Sequence, residues 1–411
     1  MITFFESRLV IGATPSEPQT LWFSKSYSFE DMTKTPVASD MGMEIALNSD
    51  QVNAIQWIVP AKFILCGTQG GEWTIGGGTQ GDPLTPTNVH ARRHSNFGSA
   101  TIKPQLIGND SLYISRDGKK VREMSFSFET DSFVSPELSL LAEHIAREAG
   151  GIKSYSYAQS PDGVIWFVLN DGSIAAMTYL KSQDVICWQR QETQGTVKSV
   201  TVIESESYSE VWFATVRNGA TRIERLVEQF DGTSTNTIAC NYLDSSLTLD
   251  TTGTPVTVLS GLTHLEGMEV SVLADGNWQS NKTVSGGSIT LDSPSEIIVV
   301  GLSSEWEMTP MKPEVQGPSG TAQGRIKRTI KFTLRLHKSL GIKYSLYEGS
   351  EYLLPDRTYG EAFDSEPSLF TGDKEVTLPG NWDRDGRFNI KGDSPFPVTI
   401  LALIPDVIIN E

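Results

Sequence analysis

Val164-Ile-Trp-Phe-Val-Leu-Asn-Asp171-Gly172-Ser173 is the stretch from which the fold is read: an apolar, aromatic strand running into a polar turn with glycine. The pattern occurs upstream as Lys62-Phe-Ile-Leu-Cys-Gly-Thr-Gln-Gly70-Gly71-Glu-Trp73 and as Ser111-Leu-Tyr-Ile-Ser-Arg-Asp117-Gly118. It occurs downstream as Glu210-Val-Trp-Phe-Ala-Thr-Val-Arg-Asn218-Gly219. Gly-Gly, Asp-Gly and Asn-Gly tolerate positive φ at both central positions of a type I′ turn, so each copy predicts a β-hairpin. The turns at 70, 117, 171 and 218 lie 47, 54 and 47 residues apart, close to the roughly 40–50 residues of one propeller blade. Phe4 to Thr14 and Thr20 to Ser24 flank the turn-forming Pro15-Ser-Glu-Pro18 and add one more copy at the start. A four-stranded blade cannot bury both faces alone, whereas blades set radially cover each other and leave only short edges. The expectation for residues 1–232 is an all-β propeller of about 5–6 blades.

One segment breaks the strand texture. From Ser135-Pro136-Glu137-Leu138 to Gly150-Gly151 there is an N-cap serine, proline at the first helical position and glycine beyond the end. Leu138, Leu141, Ala142 and Ile145 share a face at helical spacing, so one short helix is predicted there. After Phe230 short strands rich in Thr, Val, Ser and Gly take over, with Asp275-Gly276 and Gly286-Gly287 as turns. Residues 233–315 read as a small β-sandwich or barrel-like domain, and 316–411 as a second β domain after a Pro, Gly and Ser-rich linker. That last domain is expected to end in an inward-facing strand after Pro395-Phe-Pro397.

The sharpest charge feature lies at the start of the last domain. Ile326, Ile330, Phe332, Leu334 and Leu336 alternate with Arg325, Lys327, Lys331, Arg335 and His337, with Arg328 outside the alternation. Arg325, Lys327, Arg328, Lys331 and Arg335 are therefore the candidate interface or channel residues: a solvated strand face, a surface for an acidic neighbouring subunit, or a place where DNA phosphates pass. The chain as a whole carries a formal charge of −17, which argues against a protein that grips phosphates broadly.

Chemistry-bearing motifs are scarce. Gly76-Gly-Gly78-Thr-Gln-Gly81 matches a dinucleotide fingerprint in form, but Asp82-Pro83 follows where a helix should begin. No catalytic, cofactor or metal residue is nominated. His90 and His94 are spaced i, i+4 but lie in a polar loop, and Cys66, Cys187 and Cys240 are far apart, as expected of reduced, buried thiols. Trp22, Trp57, Trp73, Trp166, Trp188 and Trp212 sit in the strand pairs, where blade packing is the expected role and a sugar-stacking platform the alternative. No apolar run is long enough for a membrane span, and charges at Glu6 and Arg8 interrupt the N-terminal run too early for a signal-peptide core.

Several strings in order along the chain resemble one family. They are Phe4-Phe5-Glu-Ser-Arg8-Leu9-Val-Ile-Gly12-Ala-Thr-Pro15-Ser-Glu-Pro18-Gln19-Thr-Leu-Trp22-Phe-Ser24-Lys25 with Phe29, then Ile55-Gln-Trp57 and Gly70-Gly71-Glu72-Trp73, and Leu138-Ser139-Leu-Leu-Ala142-Glu-His144. Further along come Asp171-Gly172, Thr178-Tyr179, Trp188, Glu224, Gly261-Leu262-Thr263-His264-Leu265-Glu266-Gly267, Gly324-Arg325-Ile-Lys-Arg328 and Pro395-Phe396-Pro397. Together they resemble the tail nozzle family of short-tailed bacteriophages (podoviruses), also called tail tubular protein B or packaged-DNA stabilisation and hub protein. The resemblance implies a non-enzymatic virion protein, assembled in the host cytoplasm as a homohexamer below the tail adaptor ring. It implies partners in tail fibres, spikes or a needle, and double-stranded DNA that is retained and then conducted through a channel without specific binding. Relatives usually have a substantial region before the segment that begins here at Met1, so the resemblance also implies a second chain that completes the propeller or a shortened member. The competing readings are a carbohydrate-binding propeller and a polysaccharide depolymerase, the latter using two carboxylates about 5–10 Å apart.

Overall fold

The computed structural model describes all residues except 50–51, 79–81, 228–239, 315, 318–319, 348, 358–365, 381 and 411. Strands account for 53% of the chain and helices for 4%, so its cores are built sheet against sheet. The chain divides into two compact units, Met1–Leu226 and Val227–Glu411. The expected boundary at 232/233 lies outside the described residues.

The first unit is a series of antiparallel sheets, each formed by strands adjacent in sequence. The first contains Ile2–Phe5, Arg8–Gly12, Thr20–Phe23 and Met43–Ala46, and the second Ile55–Pro60, Ile64–Thr68, Gly71–Gly76 and His90–Arg93. The third contains Gln105–Ile107, Asp110–Ile114, Val121–Ser127 and Ser132–Val134, and the fourth Ile152–Ala158, Val164–Leu169, Ile174–Leu180 and Val185–Gln191. Thr196–Glu204, Ser209–Arg217 and Ala220–Arg225 form a three-stranded fifth sheet.

Consecutive sheets share cores. Val10 and Leu21 meet Ile64 and Ile75 between the first and second, and Trp57 and Leu65 meet Tyr113 and Met124 between the second and third. The strand quoted at the outset shows why it reads as an unbroken apolar run: it is covered on both faces. Ile165, Phe167 and Leu169 point into the core shared with the third sheet, and Trp166 and Val168 into the core shared with the fifth. Trp188 stacks on Phe167 at 4.9 Å, and Trp166 meets Phe213 edge-on at 5.7 Å, so these tryptophans do pack sheets. The outer faces of the first and fifth sheets leave Ile2, Phe4, Ile203 and Ile223 exposed.

All four quoted hairpins form, but their turn chemistry differs from the expected one. Only Asn218-Gly219 has positive φ at both central residues. Gly118 and Gly172 alone are left-handed in their longer loops, the arrangement of a type I turn closed by a glycine bulge. The first hairpin turns on Gln69-Gly70, because Thr68 pairs with Gly71. Asp275-Gly276 and Gly286-Gly287 both have paired positive φ values. One hairpin was invisible to sequence rules: Phe5 pairs with Arg8 around Glu6-Ser7, both left-handed without a glycine or asparagine.

The helix is shorter than its capping signals predict, with a 3-10 turn over Leu140–Ala142 leading into Glu143–Glu148. Residues before it are held extended instead: Pro136 and Val121 carbonyls bond Glu123 and Leu138 amides. The face consequently shifts to Leu138, Ala142, Ile145 and Ala146, and Leu141 is 96% exposed rather than in the core. Among the described residues no helix is long and apolar enough to cross a membrane.

The second unit holds two small sandwiches. Asp244–Asp250, Ile297–Leu302, Glu269–Ala274 and Asn277–Thr283 form one sheet, which packs on the pair Val256–Ser260 and Ser288–Ser295. The other sandwich sets Trp306–Met308, Phe388–Gly392, Lys343–Leu346 and Glu351–Leu353 against Phe370–Thr377, Lys327–Ser339 and Ile400–Ile409. Trp306–Met308 thus precedes residue 316 in sequence but belongs to the later sheet. Leu243, Leu273 and Val299 meet Leu340 and Phe396, so the two sandwiches share a core. The final strand does not face inward throughout: it is the edge of its sheet, with Leu401, Ile404 and Ile408 exposed.

Candidate functional site

The basic strand, Lys327–Ser339, lies between Phe370–Thr377 and Ile400–Ile409. It does not keep one alternation from end to end, because a bulge between Thr329 and Lys331 shifts the register. Before the bulge Lys327 and Thr329 point inward, and after it Phe332, Leu334 and Leu336 do. Lys327 is therefore buried, 2% exposed, and its Nζ donates to the Pro313 carbonyl at 3.1 Å. Its backbone forms a two-way bridge with Asp383. This corrects the expectation that Lys327 belongs to the solvated basic face.

The residues that do face outward are matched by acids of the same sheet. Lys331 Nζ donates to Glu375 Oε2 at 2.9 Å, and Arg335 makes a forked pair with Asp373, Nε to Oδ1 at 2.8 Å and Nη2 to Oδ2 at 2.9 Å. Hydrogen bonds to these carboxylates raise both basic groups above their usual range, and the bond from Arg335 holds Asp373 below its own. Asp406 stands directly across from Lys331 on the other neighbour. Arg325 and Arg328 are half-buried. The strand thus brings Lys331 and Arg335 together on one face but not with Lys327, and their positive charge is answered within the chain.

Buried carboxylates occur elsewhere. Glu72 is fully buried and accepts from the hydroxyls of Ser95 and Ser99, the latter at 2.8 Å. Desolvation pushes its carboxyl above the usual range against the pull of those hydrogen bonds. Glu123 accepts from Tyr179 Oη at 2.9 Å and pairs with Lys181, which also bonds Asp110 at 2.6 Å. These are ties that hold neighbouring segments together, and neither carboxylate lines the groove beside Tyr27 or the one beside Trp278. His90 opens a strand rather than lying in a loop, so at about 3.3 Å per residue it and His94 stand roughly 13 Å apart. His94 instead bonds Thr74 Oγ1 at 2.8 Å and meets Phe133 edge-on. Among the described residues no group of three metal-ligating side chains occurs. Thr79, Gln80 and Gly81 of the glycine-rich string lie outside the described residues.

Cys66 and Cys240 are buried and Cys187 is exposed, contrary to the expectation of three buried thiols. Cys187 lies on Val185–Gln191, the last strand of the fourth sheet. Burial pushes the Cys66 thiol well up and Cys240 up to about 12, which withholds the reactive thiolate. Titration with Ellman's reagent is expected to find one fast thiol in the native protein and three in guanidinium chloride; a Cys187→Ser variant should lose the fast phase.

One feature escaped the sequence reading. Asn277, Trp278, Gln279 and Asp292 of the first sandwich and Asp356 and Phe396 of the second line a groove of about 680 Å³. The signal available was Trp278 directly after the Asp275-Gly276 turn, but only the fold brings Asp356 opposite. No family model matches the chain, and no curated protein matches it.

Proposed function

We propose that this chain is a structural virion protein, part of the tail nozzle or hub of a short-tailed phage, in which the first unit is a propeller and the second lies along a DNA channel. The observation that carries this reading is the succession of sheets in the first unit, each made of adjacent strands and each sharing a core with the next. That is how propeller blades bury their faces. The ordered strings from Phe4 to Pro397 that resemble the nozzle family give the architecture its functional meaning.

Electrostatics supports a passive wall. The protein is strongly acidic, and Lys331 and Arg335 are held by Glu375 and Asp373. Such a surface offers DNA phosphates few unpaired cations, so little counterion release rewards binding. In this reading the work is mechanical, and no residue makes or breaks a bond.

Native mass spectrometry and negative-stain microscopy test the proposal. The expected result is a ring of six copies with a central opening, and duplex DNA that is not retained at physiological salt. A protein that stays monomeric at micromolar concentration, alone and with an adaptor ring, would overturn it.

A further inference from the structure

We propose that the groove beside Trp278 is a binding site for a neutral oligosaccharide chain. The inference does not depend on the tail assignment, since it rests on side chains of the second unit alone.

Trp278 is 43% exposed on the edge strand Asn277–Thr283. A large indole left that open loses much of the benefit of burial, so its orientation matters. Its Nε1 donates to Ser271 Oγ at 2.7 Å, and Ser271 is itself buried. The polar edge of the ring is thus satisfied and fixed from below, and an apolar face remains to line the groove. This is the preorganised platform on which the C–H face of a pyranose stacks, with little side-chain entropy lost on binding.

Sugars also need planar polar groups placed for pairs of hydroxyls. Gln279 supplies one: its Oε1 accepts the Asp292 amide at 3.0 Å, and its Nε2 makes only a long 3.5 Å contact with Ser293 Oγ. The amide is anchored through its oxygen, with its nitrogen available. Asp356 supplies the other, half-buried, with Oδ1 accepting the Gly341 amide at 3.0 Å. Among the described residues its Oδ2 takes no hydrogen bond. The groove's volume is within the roughly 300–1,000 Å³ common for ligand sites, room for a few sugar rings.

Charge selects the class of ligand. The lining holds two carboxylates, Asp292 and Asp356, and one cation, Arg357. Asp292 is paired with Lys282, and burial pushes the Asp356 carboxyl up against the pull of the Gly341 amide, Lys374 and Arg357. Carboxylates outnumber cations in this lining, which disfavours a sulfated, uronic or phosphate chain, and the acidic protein repels such polymers. An aromatic face, an amide nitrogen and a carboxylate oxygen around a near-neutral groove suit hydroxyl-rich, uncharged sugars.

The test is calorimetric titration of the full chain with maltohexaose, cellohexaose, chitohexaose and mannohexaose, with a heparin hexasaccharide as the anionic comparison. At least one neutral hexasaccharide is expected to bind with Kd below about 1 mM, and Trp278→Ala to weaken it roughly tenfold or more. Trp278→Tyr should recover most of the loss, and Asp356→Asn, which keeps the side chain's shape, should weaken binding with the circular dichroism spectrum unchanged. Binding of none of the neutral sugars, equal binding by wild type and Trp278→Ala, or preference for the heparin fragment would each overturn the proposal.

Discussion

Replacing Arg8 by methionine is expected to lower the stability of the first unit by about 1–3 kcal/mol. Arg8 is 1% exposed on the second strand of the chain, and its guanidinium serves only backbone carbonyls. Nη1 donates to Ser24 and Met41 at 2.7 Å and more distantly to Asp40 at 3.4 Å, and Nη2 donates to Ser39 at 2.7 Å. One side chain thus pins both ends of the connection between Thr20–Phe23 and Met43–Ala46. Burial lowers the guanidinium's pKa, with Asp40 and Glu6 opposing, but an arginine stays charged throughout the ordinary pH range.

Methionine would fill much of the same volume and leave the buried Ser24 carbonyl without a donor, a loss of about 1–3 kcal/mol. The carbonyls of Ser39 and Met41 lie nearer the surface, where water can replace the guanidinium, and that of Asp40 keeps the Ser26 amide. The loss should appear as a drop of roughly 5 °C in the melting midpoint of a unit of this size. Arg8→Lys should fall in between, since an ammonium cannot span two directions as the planar fork does. A melting curve for Arg8→Met within a degree or two of wild type would show that the connection is held by other means.

The position of Arg8 also shows what a sequence can and cannot disclose. The hairpins were legible because turn residues and apolar runs are local, and their spacing revealed the repeated sheets. Arg8 was not legible as a core residue, since its partners lie up to 33 residues downstream and are backbone atoms, which leave no trace in side-chain identity. Glu6-Ser7 was missed for a related reason: the strands on either side force a left-handed turn that its residues do not favour. Leu141 was misplaced because helical spacing was projected from a start that the chain uses for pairing instead. The candidate groove needed the fold itself, as Trp278 and Asp356 are far apart in sequence and meet only through the core shared by the two sandwiches.

The basic strand gives the second large effect, because its members should respond oppositely to the same change. Lys327→Glu is expected to cost the second unit about 3–5 kcal/mol or to prevent its folding, since an unpaired anion would replace a buried cation. The new carboxylate would face the Pro313 carbonyl now served by Nζ, and it would add a like charge near Asp385, whose carboxyl is held low chiefly by its hydrogen bond from Lys312 and in smaller part by Arg387 and Lys327. Lys327→Met keeps the aliphatic stem, which packs beside Gly386, and loses only the terminal hydrogen bond, so its loss should be smaller. Lys331→Glu and Arg335→Glu, by contrast, alter exposed ion pairs that water and salt already screen. Their urea midpoints should barely move, while any effect on the proposed self-association would report directly on the outer face. If Lys327→Glu unfolds at the same urea concentration as Lys331→Glu, the bulge after Thr329 does not set the burial of this strand. If the two separate as expected, assembly defects in Lys331 and Arg335 variants can be read as interface effects, and those of Lys327 variants cannot.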